Sequence, residues 1–266
     1  MILLISLGLL TGFLGGTLGI GGGVILVPIL TLIAGYSWQV ACSTSLFCIL
    51  VTSLLVSEKK LRQSDPHQPS NQQGLIHLDW AKDIEGLGSL FGFFGFLLAS
   101  WLTPSILLTL LACFLSGLFF YNVQKSYHDF FPQHTKQSHQ THYQHNTWWG
   151  LRSLFISFAG LSSGALGIGS GLLLVSVLHL MVKLPINIAT ATSSYSMASI
   201  SSGALMGYVL WDHIDWKICA ICSIGTLAGS SIGSHLSAQI HQKWLRLALT
   251  CVLCTISGML WKKLLI

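Results

Sequence analysis

From Met1 to Ser57 this chain carries no Lys, Arg, Asp, Glu or His, and charge-free runs recur from Leu87 to Tyr121 and from Leu184 to Trp211. Each exceeds the ~20 apolar residues that a bilayer-crossing helix needs, and the first is too long for one. As a single straight helix, residues 2–34 would reach about 50 Å at ~1.5 Å per residue, against a hydrocarbon core of ~30 Å. The chain is therefore expected to be an all-α polytopic membrane protein whose opening helix is interrupted. Composition agrees: 8% of the 266 residues are charged and the mean hydropathy is +0.68, where soluble domains carry roughly 25% charged residues.

The interruption is expected in the stretch Gly12 to Pro28, GFLGGTLGIGGGVILVP, at the GIGGG of Gly19 to Gly23. A shift of 148 positions lays GLSSGALGIGSGLLLVS, Gly160 to Ser176, on top of it without a gap. Gly12, Gly16, Leu18, Gly19, Ile20, Gly21 and Gly23 meet Gly160, Gly164, Leu166, Gly167, Ile168, Gly169 and Gly171. This reads as an internal duplication. A glycine cluster that breaks a helix at membrane depth is tolerated only where protein or a water-filled cavity surrounds the freed backbone groups. Such breaks at matching places in two repeats point to a transporter's binding site.

The expected layout is about eight transmembrane helices in two tandem-duplicated halves, each opening with a glycine-broken or re-entrant helix. Residues 1–121 form the first repeat, 122–148 a polar His-rich loop, and 149–266 the second repeat. The opening run lacks the basic start of a secretory signal, so its helix is expected to be retained. Gly88, Gly92 and Gly95, with a later counterpart in Gly225, Gly229 and Gly233, are small residues that let helices approach closely.

With each broken segment counted as one crossing, Lys59, Lys60, Arg62, Lys82, Lys125, Lys136, Arg152, Lys217, Lys262 and Lys263 share the inner face. Lys183, Lys243 and Arg246 stay outside, as the positive-inside rule prefers. If both segments re-enter instead, these three exchange sides with Lys217, Lys262 and Lys263. The score is unchanged and the repeats become inverted.

Other chemistry is sparse. The formal charge of +5 sits at helix ends with no basic patch alternating with aromatics, so no nucleic-acid partner is expected. The seven cysteines include the pairs Cys219/Cys222 and Cys251/Cys254; a four-thiolate metal site is one reading, small apolar packing residues the preferred one. His128, His134, His139, His142 and His145 crowd the central loop, a tract that binds metal in some proteins but matches no defined zinc spacing. No metal site or cofactor is assigned. All eight carboxylates fall in loops or at helix ends, leaving His179 and His235 as ionisable groups inside spans. No nucleophile with its base and no Walker-type phosphate loop occurs, so neither an enzyme nor an ATP-driven pump is expected.

The GxxGGxxGxGGG run ending in Pro28, its second copy GxxxGALGIGSG and the two four-helix halves make the chain resemble the sulfite exporter TauE/SafE family of membrane transporters. The likeness covers nearly the whole chain. It implies movement of sulfite, organosulfonates or another small sulfur-containing anion across the plasma membrane by a multi-pass protein. A small anion at membrane depth needs donors. A helix N-terminus supplies unpaired N–H groups and partial positive charge, and glycine admits the ligand to the backbone. The expected lining is therefore Gly19, Gly21, Gly22, Gly23, Gly167, Gly169 and Gly171, with the shift-related hydroxyls Thr44, Ser45, Thr192 and Ser193. The resulting expectation is a secondary transporter exporting a small anion by alternating access. The alternative is a metal-ion permease or sensor using the His-rich loop.

Overall fold

The computed structural model describes residues 1–18, 22–62, 78–130, 149–180, 186–237 and 242–265. Among these it has ten helices and no strand: α1 (Ile2–Leu18), α2 (Gly23–Leu32), α3 (Trp38–Arg62), α4 (Leu78–Trp101), α5 (Pro104–Phe130), α6 (Trp149–Leu166), α7 (Gly171–Leu180), α8 (Ile186–Leu210), α9 (Trp216–Ser237) and α10 (Gln242–Leu265). Helices satisfy their backbone internally, the requirement of a lipid solvent. Trp38–Glu58, Ile84–Trp101 and Trp216–His235 are each long and apolar enough to cross a membrane.

Helix boundaries follow local chemistry. Pro104 opens α5, where its missing N–H costs nothing. Asp215 caps α9, its Oδ1 accepting from the backbone N–H of Lys217 at 3.0 Å. The polar stretch that follows Ser57 and the His-rich loop expected over 122–148 both start out helical. α3 continues to Arg62 and α5 to Phe130, because Glu, Lys and Gln are good helix formers that extend a helix past its apolar part. Residues 63–77 and 131–148, including His134, His139, His142 and His145, lie outside the described residues.

α2 and α7 have 10 residues each, α3 and α8 have 25 each, and both pairs start 148 positions apart. Helix directions follow from side-by-side contacts. A Cβ on Gly8 of α1 would lie 2.7 Å from the Cys222 carbonyl oxygen of α9, and one on Gly16 would lie 2.5 Å from that of Ser230. The order matches, so α1 and α9 are parallel. Gly160 and Gly164 of α6 likewise face Gly88 and Gly92 of α4 in order, and Gly88 and Phe96 of α4 face Ile200 and Gly207 of α8. Small residues bring these backbones into contact, the packing mode that replaces the hydrophobic effect in lipid.

α3 opposes α8: Ser43, near the start of α3, donates to the His213 carbonyl just beyond the end of α8 at 3.0 Å. α3 accompanies α9, with Thr44 beside Cys219 and Cys48 sharing a cleft with Thr226 further along. Thus α1, α3 and α9 run one way and α4, α6 and α8 the other. Because α1 and α3 are parallel, α2 returns the chain to the side where α1 began. These directions fit the re-entrant alternative and not the single crossing. They also make each of α1, α3 and α4 opposite in direction to its counterpart, α6, α8 and α9 respectively.

The two sets interlock, since α1 packs on α9, α6 packs on α4, and α3 meets α8 between them. The main core gathers Val27, Leu30, Leu46, Leu111 and Leu115, and a second one gathers Ile84, Ile156, Leu174 and Ile200. Leu90, Phe94 and Leu98 on α4 and Leu154 and Phe158 on α6 are exposed, a lipid-facing surface. Exposed Trp101, Trp211 and Trp216 fall at one end of the bundle, where the amphipathic indole suits an interface.

Candidate functional site at the helix breaks

The first break lies between Leu18 and Gly23. Gly19, Ile20 and Gly21 fall outside the described residues, so the expected roles of Gly19 and Gly21 have no geometry attached. Gly22 occupies the N-cap of α2 with φ −58° and no side-chain cap, and its carbonyl accepts from Leu26 N–H at 3.0 Å. A Cβ on Gly23 would lie 2.6 Å from Ser45 Oγ and 3.1 Å from the Gly167 carbonyl oxygen. α2 therefore starts near the middle of the α3 apolar span, halfway along a membrane-length helix.

The second break runs from Gly167 to Ser170. Gly167 has φ +65° and Gly169 φ +70°, left-handed conformations that a side chain resists. Gly167 presses on Cys42 and Gly169 on Ile49, both of α3. Ser45 Oγ donates to the Gly167 carbonyl at 2.6 Å, a buried bond between residues 122 apart in sequence. The two interruptions thus meet on the Cys42-to-Ile49 face of α3, bringing together Gly23, Ser45, Gly167 and Gly169, while Gly22 faces Thr11 of α1.

The remaining expected residues are placed differently. Thr44 is buried and faces α9, taking a weak 3.6 Å bond from the Cys219 thiol. Ser193 is buried and donates to the Thr190 carbonyl at 3.1 Å, one turn back in its own helix. Thr192 is buried and partnered, and Gly171 is buried as the first residue of α7.

A cleft of about 60 Å³ opens beside α2's first turn. Gly12, Gly15 and Gly16 of α1, Gly22, Gly23 and Leu26 at the start of α2, and Cys48, Ile49, Thr52, Ser53 and Val56 of α3 line it. Ser194 and Met197 of α8 and Thr226 and Ser230 of α9 complete the wall. Of the described residues expected from sequence, only Gly22 and Gly23 border this space. Its polar groups are hydroxyls, a thiol and backbone, with no Lys or Arg in the lining. That arrangement offers neutral donors and a helix N-terminus rather than a fixed counter-charge.

Residues 1–61 and 68–260 match the family described as Sulfite exporter TauE/SafE. The chain belongs to that family. A probable membrane transporter protein of Methanocaldococcus jannaschii is 26% identical over 270 residues, covering 94% of this chain and 91% of that protein. The probable membrane transporter proteins YunE and YdhB of Bacillus subtilis are 24% and 25% identical, covering 96% and 88% of this chain and 95% and 89% of their own lengths. No solved structure matches.

In this TauE/SafE family member, sequence reasoning missed Cys48, Thr52 and Ser53, which continue the helical face of Ser45 at one-turn intervals. It also passed over Ser163, Ser170, Ser196 and Ser201, buried hydroxyls without a hydrogen-bond partner among the described residues. An unsatisfied buried polar group costs about 1–3 kcal/mol, and Ser57 Oγ and Trp38 Nε1 are unpartnered in the same way. Among the described residues no three potential metal ligands gather. Cys219 and Cys222 are buried whereas Cys251 and Cys254 are exposed, so the two cysteine pairs do not combine. His235 is exposed in the last turn of α9, and the His179 side chain lies outside the described residues.

Proposed function

We propose that this chain is a secondary transporter of the plasma membrane that exports sulfite, an organosulfonate or another small sulfur-containing anion by alternating access. The observation that carries this reading is the meeting of the two breaks on α3. Ser45 bonds the Gly167 carbonyl and flanks Gly23, so two short helices begin back to back halfway along a spanning helix. Helix N-termini favour anions, and such discontinuous helices mark transporter sites.

On this reading residues 1–121 and 149–266 are duplicated repeats of inverted topology. Each contributes a re-entrant hairpin and three crossings, α3 to α5 and α8 to α10, instead of eight crossings in all. Ten of the 13 Lys and Arg then fall at the end of the bundle bearing residues 63–77 and 131–148. The positive-inside rule assigns that end to the cytoplasm. Alternating access arises as α1 and α6, each packed on the opposite repeat, tilt about the α3–α8 contact.

Counterflow in proteoliposomes tests the reading, using radiolabelled sulfite with sulfate, thiosulfate and a taurine-like sulfonate as competitors. Saturable sulfite or sulfonate exchange that empty liposomes lack is expected. Absence of exchange for every anion, in protein shown to be folded, refutes it.

A further inference from the structure

Serine in a helix usually bonds the carbonyl one turn back, and neighbours in this protein do so. Ser162 bonds the Ala159 carbonyl at 3.0 Å, Ser194 that of Thr190 at 2.7 Å, and Ser202 that of Ser199 at 2.7 Å. Ser163, Ser196 and Ser201 break this habit, and Ser170, immediately before α7, also lacks a partner, while each is at most 1% exposed.

Their positions coincide with a second observation. Moved back by 148, Ser163, Ser170, Ser196 and Ser201 become Gly15, Gly22, Cys48 and Ser53. All four of those residues line the one cleft at the N-terminus of α2. Because helix bounds recur at the same interval, and α6, α7 and α8 pack on one another, the equivalence assigns the four serines to the corresponding place at the N-terminus of α7. The second set thus carries hydroxyls where the first has mostly glycine and thiol.

We infer that Ser163, Ser170, Ser196 and Ser201 form a binding site for a small oxyanion at the N-terminus of α7. The inference rests on the anion-transport reading and deepens it, naming the second repeat as the side that grips the cargo's oxygens. The local polarity selects an anion over a cation. Carbonyls at the end of α6 are already engaged: Ser163's by Gly167 N–H at 2.9 Å, Gly164's by Tyr208 OH at 3.0 Å and Gly167's by Ser45 at 2.6 Å. The first bond of α7 runs from Leu174 N–H to the Ser170 carbonyl at 2.8 Å, so the amides before it are the end of the helix that presents donors.

The test is sulfite-dependent thermal stabilisation of the full-length protein in detergent, at constant sodium, with counterflow measured in parallel. Ser170→Gly and Ser196→Cys install what the first repeat already tolerates, Ser201→Ala removes one hydroxyl, and the exposed Ser202→Ala is the control. Wild type and Ser202→Ala should share one Kd. The three site variants should each bind sulfite about tenfold more weakly or worse, the loss expected for a hydrogen bond to an anion. Their ligand-free midpoints should stay level or rise, because an orphan hydroxyl has gone. Kd values within twofold of wild type in all three variants overturn the site while leaving transport standing. So does stabilisation by sodium, against choline, that depends on these serines. A folded wild type that responds to no sulfite, sulfate or sulfonate and shows no counterflow overturns both readings.

Discussion

Gly167→Ala puts the account under direct strain. At φ +65° a Cβ costs about 1–2 kcal/mol. The added atom would lie 2.7 Å from Cys42 Cα, 2.8 Å from its Cβ and 2.9 Å from its Sγ. The first of these is backbone, so α3 must shift, and overpacking of this kind costs about 1–3 kcal/mol. Lower entropy of the unfolded chain returns about 0.4–1 kcal/mol, leaving a net loss of roughly 1–5 kcal/mol by these terms. Reversible unfolding in mixed detergent micelles measures it. Gly117→Ala is the reference: a Cβ there meets nothing within 4 Å, and helix propensity makes it neutral to about 1 kcal/mol more stable. Gly167→Ala as stable as Gly117→Ala would refute the claim that this break is wedged against α3.

Ser45→Ala leaves the Gly167 carbonyl without its 2.6 Å partner and should cost about 1–3 kcal/mol by the same unfolding assay. Tyr208→Phe keeps the ring against Phe96, 4.6 Å between centroids, but leaves the Gly164 carbonyl without its donor; about 1–3 kcal/mol is expected, read as a shifted midpoint. Gly12→Leu drives a side chain into Thr226 of α9 and should abolish folded yield on size exclusion, whereas Gly258→Leu, facing open space, should not. Deleting residues 134–145 should leave sulfite counterflow within twofold of the full chain, while its loss together with a metal response would favour the metal-permease alternative.

Much of the helix order is legible in the residues because charge-free length and glycine carry it. The charge-free run from Leu184 to Trp211 brackets α8, and Pro104 opens α5 just after α4 ends at Trp101. The direction of each helix is not legible, since moving three cations between faces leaves the charge count unchanged. Contacts such as Gly8 with Cys222 decide it. At the site, the glycines of the second break are readable from their spacing, and Gly167 and Gly169 do take positive φ. Which hydroxyls face the space depends on rotamers and on partners far along the chain. Thr44 and Ser45 are adjacent in sequence yet face α9 and the second break respectively.

The central claim is that two short helices begin beside each other and present their N-termini to an anion. Selenite, a heavy isostere of sulfite, soaked into crystals of the protein with ordinary methionine gives an anomalous signal that locates it. The account predicts one selenium peak between the starts of α2 and α7, within hydrogen-bonding reach of their first turns. Selenium confined to the bundle ends, with none at the breaks under concentrations that saturate counterflow, would contradict it.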